Sequence, residues 1–380
     1  MQLLTLVLVC NVPYAPWIST NSAVPSGNTR SGAIFSPFEL PPGNAVHATT
    51  TFSIRDALRQ ENADTGWIGK RPAPLANFSY ELAELTGPIF GMKLVNWDGY
   101  TPTPLLDAEG RVICNLAGQP KGDEWKREVV DSCASTIKHA SRHCDFKPPV
   151  KEARRGRFAA AAIGISFGGG QKRPGNLRNS ASQRRALEEI HQSTCFRRLA
   201  GFASKAFATY APRVFQAYDK NLNDLTDNHW HLRHNFPGSV FAAATVNFGP
   251  RTVTKPHTDR ENMAWGWCAI TALGDFDPDT GGHLVLWDLG LVIRFPPGAT
   301  ILIPSALLLH SNVQVKDGES RYSFTQYTAG GLFRWVYNGF CTDKSLMESA
   351  TPEEIAMREE ERAQRWEKGL AMFSTSEEFW

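Results

Sequence analysis

Between Phe241 and Thr328 the sequence is a succession of short apolar runs, each closed by Gly, Pro, Asn or Asp. A helix needs roughly ten or more residues to bury one face, whereas a strand needs only about four to eight. The runs therefore read as strands: Phe241 to Phe248, Trp267 to Leu273, His283 to Asp288, Leu291 to Phe295, Thr300 to Ile303, Val313 to Val315 and Arg321 to Thr328. Pro296-Pro297-Gly298 and Lys316-Asp317-Gly318-Glu319 supply turns, the second with Asp-Gly at its centre as in a two-residue hairpin. Many short strands punctuated this way favour an antiparallel sandwich or barrel.

The same stretch carries a candidate metal site. In His257-x-Asp259 the two side chains point the same way if the segment is extended, because strand side chains alternate. Two histidines and one carboxylate occupy one face of a metal and leave the other open. That set suits non-haem Fe(II), with O2 and a co-substrate in the free positions. An H-x-D alone is common by chance; the weight lies in the order H-x-D, strands, His, R-x-S, aromatic strand. His310 is the candidate second histidine. His283 competes, but His310 stands before Arg321 and Ser323. If the Asp-Gly turn closes a hairpin, His310 lies opposite Thr325 and Gln314 opposite Arg321. His310, Arg321 and Ser323 then share a face, with Arg321 about 13 Å along the sheet from the level of His310 at roughly 3.3 Å per residue. A guanidinium and a five-carbon dicarboxylate span that gap. Arginine suits a distal carboxylate because its fork binds both oxygens, and Ser323 adds a hydroxyl donor. The stretch is thus self-consistent as an Fe(II)/2-oxoglutarate site.

At these residues the chain resembles the TET/JBP nucleic-acid base dioxygenases, in the version expanded in fungal genomes and associated with transposons. Pro256-His257-Thr258-Asp259-Arg260-Glu261-Asn262-Met263 is similar to that family's H-x-D-x-x-N-M segment. Trp267 to Leu273, Gly281 to Leu284, Arg321 to Tyr327 and Ala329 to Trp335 also resemble it, over roughly Val95 to Asp343. The resemblance implies a double-stranded β-helix (jelly-roll) oxygenase core, mainly β with flanking helices (α+β). It implies a dioxygenase that oxidises the methyl group of 5-methylcytosine in DNA to 5-hydroxymethylcytosine, with further oxidation left open. Its cofactors would be Fe(II) and 2-oxoglutarate, and its partners O2 and a DNA base flipped into the pocket. By match, His257, Asp259 and His310 hold iron, Arg321 and Ser323 hold 2-oxoglutarate, and Asn262 contacts the base. A nuclear location follows from the same resemblance. The chain departs from the animal members in having no histidine after His310 and no cysteine-rich zinc region. The alternatives are a 2-oxoglutarate oxygenase acting on thymine, N6-methyladenine, a protein or a small molecule, and an inactive transposon-derived DNA-binding module.

The 380 residues carry a net charge of only +2, so partners cannot be argued from the total. The seven cysteines are scattered, with no C-x-x-C pair, which argues against structural zinc and for reduced thiols. Leu3 to Val9 is apolar but too short to span a bilayer; it lacks the basic flank of a signal peptide and reads rather as a buried strand or the edge of a truncated gene model. No other apolar run reaches membrane length. Four regions follow: a flexible tail over 1–45, an N-terminal family-specific region over 46–160, the oxygenase core with supporting helices over 161–345, and a charged helix over 346–380.

Other segments read as follows. Asp64 to Pro74 is loop, Met92 to Trp97 a strand, and Arg111 to Cys114 a hairpin arm after Asp107-Ala108-Glu109-Gly110. Asp123 caps a helix whose Trp125, Val129, Cys133 and Ile137 form a core face; His139 and His143 are an exposed pair. Lys147 to Arg185 is basic, with Glu152 its single acid, and can track a phosphate chain. Ser182 to Leu225 is helical, split or kinked at Pro212. His229-Trp230-His231-Leu232-Arg233-His234 reads as a connector, since no single period puts its three histidines on one face. Thr351-Pro352-Glu353-Glu354 starts a solvated helix.

Overall fold

The strand-forming runs from Ala243 onward are too short to enclose a core within one sheet, and they divide between two. The structure, a computed structural model, describes residues 5–7, 47–55, 62–70, 79–146, 156 and 158–379. Most of the tail over 1–45, residues 71–74 of the expected loop, and Lys147, Lys151, Arg154, Arg155 and Arg157 of the basic stretch lie outside the described residues. In chain order the strands are β1 (Thr5–Val7), β2 (His47–Thr49), β3 (Lys93–Val95), β4 (Thr103–Leu106), β5 (Val112–Gly118), β6 (Ala159–Ser166) and β7 (Gly175–Asn176). They continue with β8 (Ala243–Gly249), β9 (Cys268–Asp275), β10 (Leu284–Leu286), β11 (Leu291–Ile293), β12 (Thr300–Ile303), β13 (His310–Asn312) and β14 (Ser320–Tyr327).

The large sheet runs β1-β2-β4-β5-β12-β9-β14-β8-β6-β7 and the small one β13-β10-β11-β3. From β8 the chain alternates between them. β8 is in the large sheet, a segment through His257 bridges His310 at the edge of the small one, and β9 returns to the large. β10 and β11 are small-sheet strands, β12 large, β13 small and β14 large. The pairs β12-β9, β9-β14 and β14-β8 are all antiparallel. This winding is a double-stranded β-helix, or jelly roll. With helices flanking the large sheet, the chain is mainly β and α+β in class.

The hairpin expected from the Asp-Gly turn does not form. The turn itself is present, with Glu319 N donating to Lys316 O at 3.2 Å and Gly318 at φ +88°. Its arms enter different sheets: β13 pairs with β10, while β8 and β9 occupy both edges of β14. His310 is therefore not opposite Thr325, nor Gln314 opposite Arg321. Val313 to Val315 is not a strand; the strand lies earlier, at β13. A short turn encodes local reversal, but two paired neighbours leave β14 no edge for β13.

Alternation decides what each face does. On β14 Tyr322 and Phe324, and on β8 Ala244, Val246 and Phe248, pack against Leu187, Ile190, Phe196 and Leu199 of the helices outside. The intervening Thr245, Asn247, Arg321, Ser323, Thr325 and Tyr327 face the space between the sheets. The helices run Ala181–Gln192, Thr194–Tyr210 and Pro212–Asn228, so Pro212 starts a new helix rather than kinking one. Asp123 is not a cap: Gly122 holds that position, and a π-helical turn at Lys126–Asp131 precedes the helix Ser132–Arg142. Val129, Cys133 and Ile137 are buried as their spacing suggests.

Upstream strands extend both sheets, β5 beside β12 and β3 parallel to β11. One apolar cluster joins Phe52 and Leu105 to Phe207, Trp267, Ile301 and Phe373. The helix Pro352–Leu370 starts with the expected capping box at Thr351 and Glu354. It is less solvated than its charge suggests, because Trp366, Gly369 and Leu370 are buried. Gly266 marks the tightest approach in this core. A methyl group there would stand 1.9 Å from the Tyr218 hydroxyl, which donates to Trp267 O at 3.3 Å. Gly266→Ala is expected to destabilise the protein by about 1–3 kcal/mol through overpacking. Urea unfolding checks this, and an unchanged midpoint would contradict it.

Candidate metal centre and co-substrate pocket

His257 sits in an extended segment zipped to β13: His257 N donates to His310 O and His310 N to His257 O, each at 3.0 Å. A directly bonded pair faces the same way, so the two imidazoles lie side by side, ring centroids 4.3 Å apart. Asp259 is fixed by its backbone N–H on Ser305 O at 2.7 Å. Its carboxylate oxygens lie 3.8 Å from His257 Nε2 and 3.9 Å from His310 Nε2. One donor atom from each of the three lies within 4.8 Å of the others, and all three residues are buried.

The hydrogen bonds behind the rings set their chemistry. His257 Nδ1 is 2.7 Å from Lys255 O and His310 Nδ1 is 2.8 Å from Leu308 O. A carbonyl only accepts, so in both rings Nδ1 carries a proton, and Nε2 is the ring nitrogen turned toward Asp259, the atom a metal would take. A hydrogen bond behind the ring of this kind fixes tautomer and orientation in metal-bound histidines. Two imidazoles and a carboxylate on one side of a shared space form a facial triad, a donor set that suits Fe(II) with open positions.

Arg321 reaches the same space from the opposite sheet. It is 2% exposed, and Nη1 donates to Thr252 O at 3.3 Å. Nε has no hydrogen-bond partner, and the nearest aromatic ring, Phe276, is 6.0 Å from the guanidinium carbon. Arg321 has no carboxylate partner among the described residues. Burial pushes its pKa down to about 10, so it is still a cation at neutral pH. A buried guanidinium without a counter-ion is costly, and a carboxylate entering the cavity offsets that cost. Ser323 Oγ, one step along the same face, accepts from Asn247 Nδ2 at 2.7 Å.

All six expected site residues line one cavity of about 390 Å³. Asn262 is at its margin, with Nδ2 donating to Ser305 Oγ at 3.0 Å and its backbone bridged to Ala329. Sequence reasoning missed several polar residues of the cavity wall, and two of them, Asn312 and Asn247, hold its shape. Asn312 Oδ1 accepts from Thr254 N and Oγ1, both at 2.8 Å, holding the wall between the triad and Arg321. Asn247 supports Ser323. Each follows the period of two from a residue already singled out, or breaks an apolar strand with an amide, and that alternation was the available signal.

The rival histidines lie elsewhere. His229 Nε2 accepts from Trp335 Nε1 at 2.9 Å. His139 and His143 are exposed, with ring centroids 4.9 Å apart. His283 shares the phase of Val285, whose cluster with Leu85, Met92 and Val313 covers the outer face of the small sheet. It is 1% exposed, and burial with the nearby Arg294 guanidinium pushes its pKa down to about 4 from 6.5. The unfolded chain therefore binds a proton across that interval and the folded one does not, so stability falls as pH drops from 6.5 toward 4. His283→Gln is expected to remove about 2 kcal/mol of the loss between pH 7 and pH 5. Urea midpoints at the two pH values test this; an unaltered pH slope in the variant would contradict it.

Fold and site together define a double-stranded β-helix protein with a facial two-histidine, one-carboxylate centre and a buried arginine facing it. No family model matches the sequence, and no curated protein matches it. Among solved structures the chain is similar to NgTET1 in complex with 5mC DNA, at 15% identity, covering 63% of this chain and 82% of that one, with a TM-score of 0.44. It is also similar to an oxidoreductase of the 2OG-Fe(II) oxygenase family from Burkholderia pseudomallei, at 17% identity over 52% of this chain and 78% of that one, TM-score 0.31. A third is OsALKBH1, at 10% identity over 53% of this chain and 94% of that one, TM-score 0.32. Among the described residues no helix is long and apolar enough to cross a membrane.

Proposed function

We propose that the protein is an Fe(II)/2-oxoglutarate-dependent dioxygenase that oxidises the methyl group of 5-methylcytosine in DNA, acting in the nucleus. The observation that carries the oxygenase reading is the pairing, in one cavity, of the His257-Asp259-His310 triad with Arg321, which has no carboxylate partner among the described residues. The donor chemistry fits: imidazole and carboxylate suit Fe(II), and a buried guanidinium suits the far carboxylate of a dicarboxylate. Bound there, iron and 2-oxoglutarate would supply the oxidising chemistry for an unactivated C–H bond. The chain's own residues do the rest. His257 and His310 would offer Nε2 to the metal, their rings oriented by Nδ1–H groups that donate to the Lys255 and Leu308 carbonyls. Arg321 and Ser323 orient the co-substrate, and the two sheets exclude water.

The base identity rests on the likeness of the segments around His257 and Arg321 to the TET/JBP dioxygenases. A base stacked in a duplex cannot reach a cavity between two sheets, so it must be flipped out, at a cost of a few kcal/mol. By the same likeness Asn262, which lines the cavity, would read the flipped base edge. The test supplies Fe(II), ascorbate, 2-oxoglutarate and a duplex with one 5-methylcytosine, beside matched duplexes carrying thymine or N6-methyladenine at that position. Mass spectrometry of the digested DNA is expected to show 5-hydroxymethylcytosine. Succinate without a modified base, or oxidation of only the thymine or adenine methyl, would overturn the substrate.

A further inference from the structure

We propose that an exposed indole and a basic surface beside the cavity, Trp230 with Lys172, Arg173, Arg178 and Arg233, hold the DNA strand that presents the base. The inference rests on the reading of the protein as a DNA-base oxygenase and adds where the duplex is gripped. Two segments far apart in sequence are stitched together here. Asn176 Nδ2 donates to His231 O at 2.8 Å, and Arg233 N donates to Asn176 Oδ1 at 3.1 Å. Residues 164–187 and 228–258 contain no Asp or Glu at all. The four cations are exposed, and none pairs with a carboxylate among the described residues. Their charge is therefore not neutralised by the protein itself.

Trp230 is 92% exposed on a backbone that is held in place. On one side His229 accepts the Trp335 indole N–H, and on the other Leu232 is buried. An indole is among the side chains most often covered in folded proteins, and here the anchored loop holds it outward. The surface is close to the site. Trp335 packs edge-on against Phe167, ring centroids 5.1 Å apart, and Phe167, Gly168 and Gly169 line the catalytic cavity. Gly168, Gly169 and Gly170 have φ of +145°, +56° and +88°, so only glycine suits this turn and it adds no side chain of its own between surface and cavity; the Glu261 carboxylate lies beside Gly168 at the cavity wall. A second hollow of about 260 Å³ lies next to Gly168–Gln171; its Arg334 and Lys344 are paired with Asp343 at 3.3 Å and Glu348 at 3.8 Å, so the unpaired charge is that of the four cations named. Cations without internal partners neutralise phosphates, and an aromatic face stacks on a base or sugar regardless of sequence. That pairing of charge with a presented ring commits the surface to nucleic acid. An acidic peptide would use the cations but leave the indole without a role.

The test is fluorescence anisotropy across a salt series, with a labelled duplex containing one 5-methylcytosine. Trp230→Ala is expected to weaken binding roughly tenfold, with Trp230→Phe restoring most of it. Arg173→Ala with Arg233→Ala is expected to lower the slope of log K against log salt by about 1–2. A control with equal charge loss, Lys138→Ala with Lys205→Ala on helices covering the large sheet, leaves binding unchanged. Thermal midpoints of all these surface variants stay at the wild-type value. If the wild type binds and oxidises the duplex while every variant binds equally well, or the control loses as much as the test pair, this surface is wrong and the oxygenase reading stands. A wild type that neither binds nor modifies DNA overturns both.

Discussion

Arg321→Ala is expected to raise the KM for 2-oxoglutarate by about two to three orders of magnitude while leaving iron binding intact. The size follows from where the guanidinium sits. It is 2% exposed, donates to a single carbonyl, and makes no ion pair with any carboxylate among the described residues. An ion pair at about 4 Å in an effective dielectric near 20 is worth about 4 kcal/mol. Truncating one member of such a buried pair typically costs about 2–5 kcal/mol. Arg321→Lys keeps the charge but loses the fork, and is expected to fall between, at roughly tenfold. Because an uncompensated buried cation is itself destabilising, 2-oxoglutarate should raise the thermal midpoint of the iron-loaded wild type and not that of Arg321→Ala. At a hundred times its Kd the ligand adds about 2.7 kcal/mol of stability, enough to read in a melt. Steady-state kinetics in 2-oxoglutarate decide the matter. A KM within threefold of wild type in both variants would remove Arg321 from the pocket's function.

Removing a donor from the triad should have the larger effect on turnover. His257→Ala, Asp259→Ala and His310→Ala are each expected to lower succinate formation by roughly a thousandfold or more, since several kcal/mol of the rate enhancement depends on the metal. The backbone around the site should survive these changes. His257 and His310 are joined through their main-chain groups, and Asp259 is pinned through its own N–H to Ser305 O. Far-UV circular dichroism should therefore match wild type. Retention of more than a tenth of the activity in any one of the three would show that it does not hold the metal.

The triad was legible because its chemistry is carried by residue type and by alternation, both written directly in the chain. His257-x-Asp259 needs only an extended segment to converge, and it is one. His310 was separable from His283 by order in the sequence, and the structure adds the physical reason. Leu284 and Leu286 turn inward, so Val285 and His283 turn outward. The pairing of β13 was not legible. The turn at Asp317-Gly318 looks the same whether its arms pair with each other or part into facing sheets, and only the occupied edges of β14 decide between them. Arg321 thus reaches its position across the sandwich, from the opposite sheet, rather than along one sheet from His310. The helix at the C-terminus is solvated over most of its length, as expected, and the burial of its end was the part not legible. Trp366, Leu370 and Phe373 follow helical spacing, but eleven preceding positions dominated by charge masked a stripe that shows only at its end. The π-helical turn at Lys126–Asp131 has no signal in residue type.

The most direct measurement is iron content after anaerobic loading with Fe(II) and desalting, for the wild type, the three triad variants and Arg321→Ala. The expected result is about one iron per chain in the wild type and in Arg321→Ala, and about a tenth of that or less in each triad variant. A wild type that retains no iron, or a His310→Ala chain that holds as much as the wild type, would contradict the convergence of these three side chains on one metal.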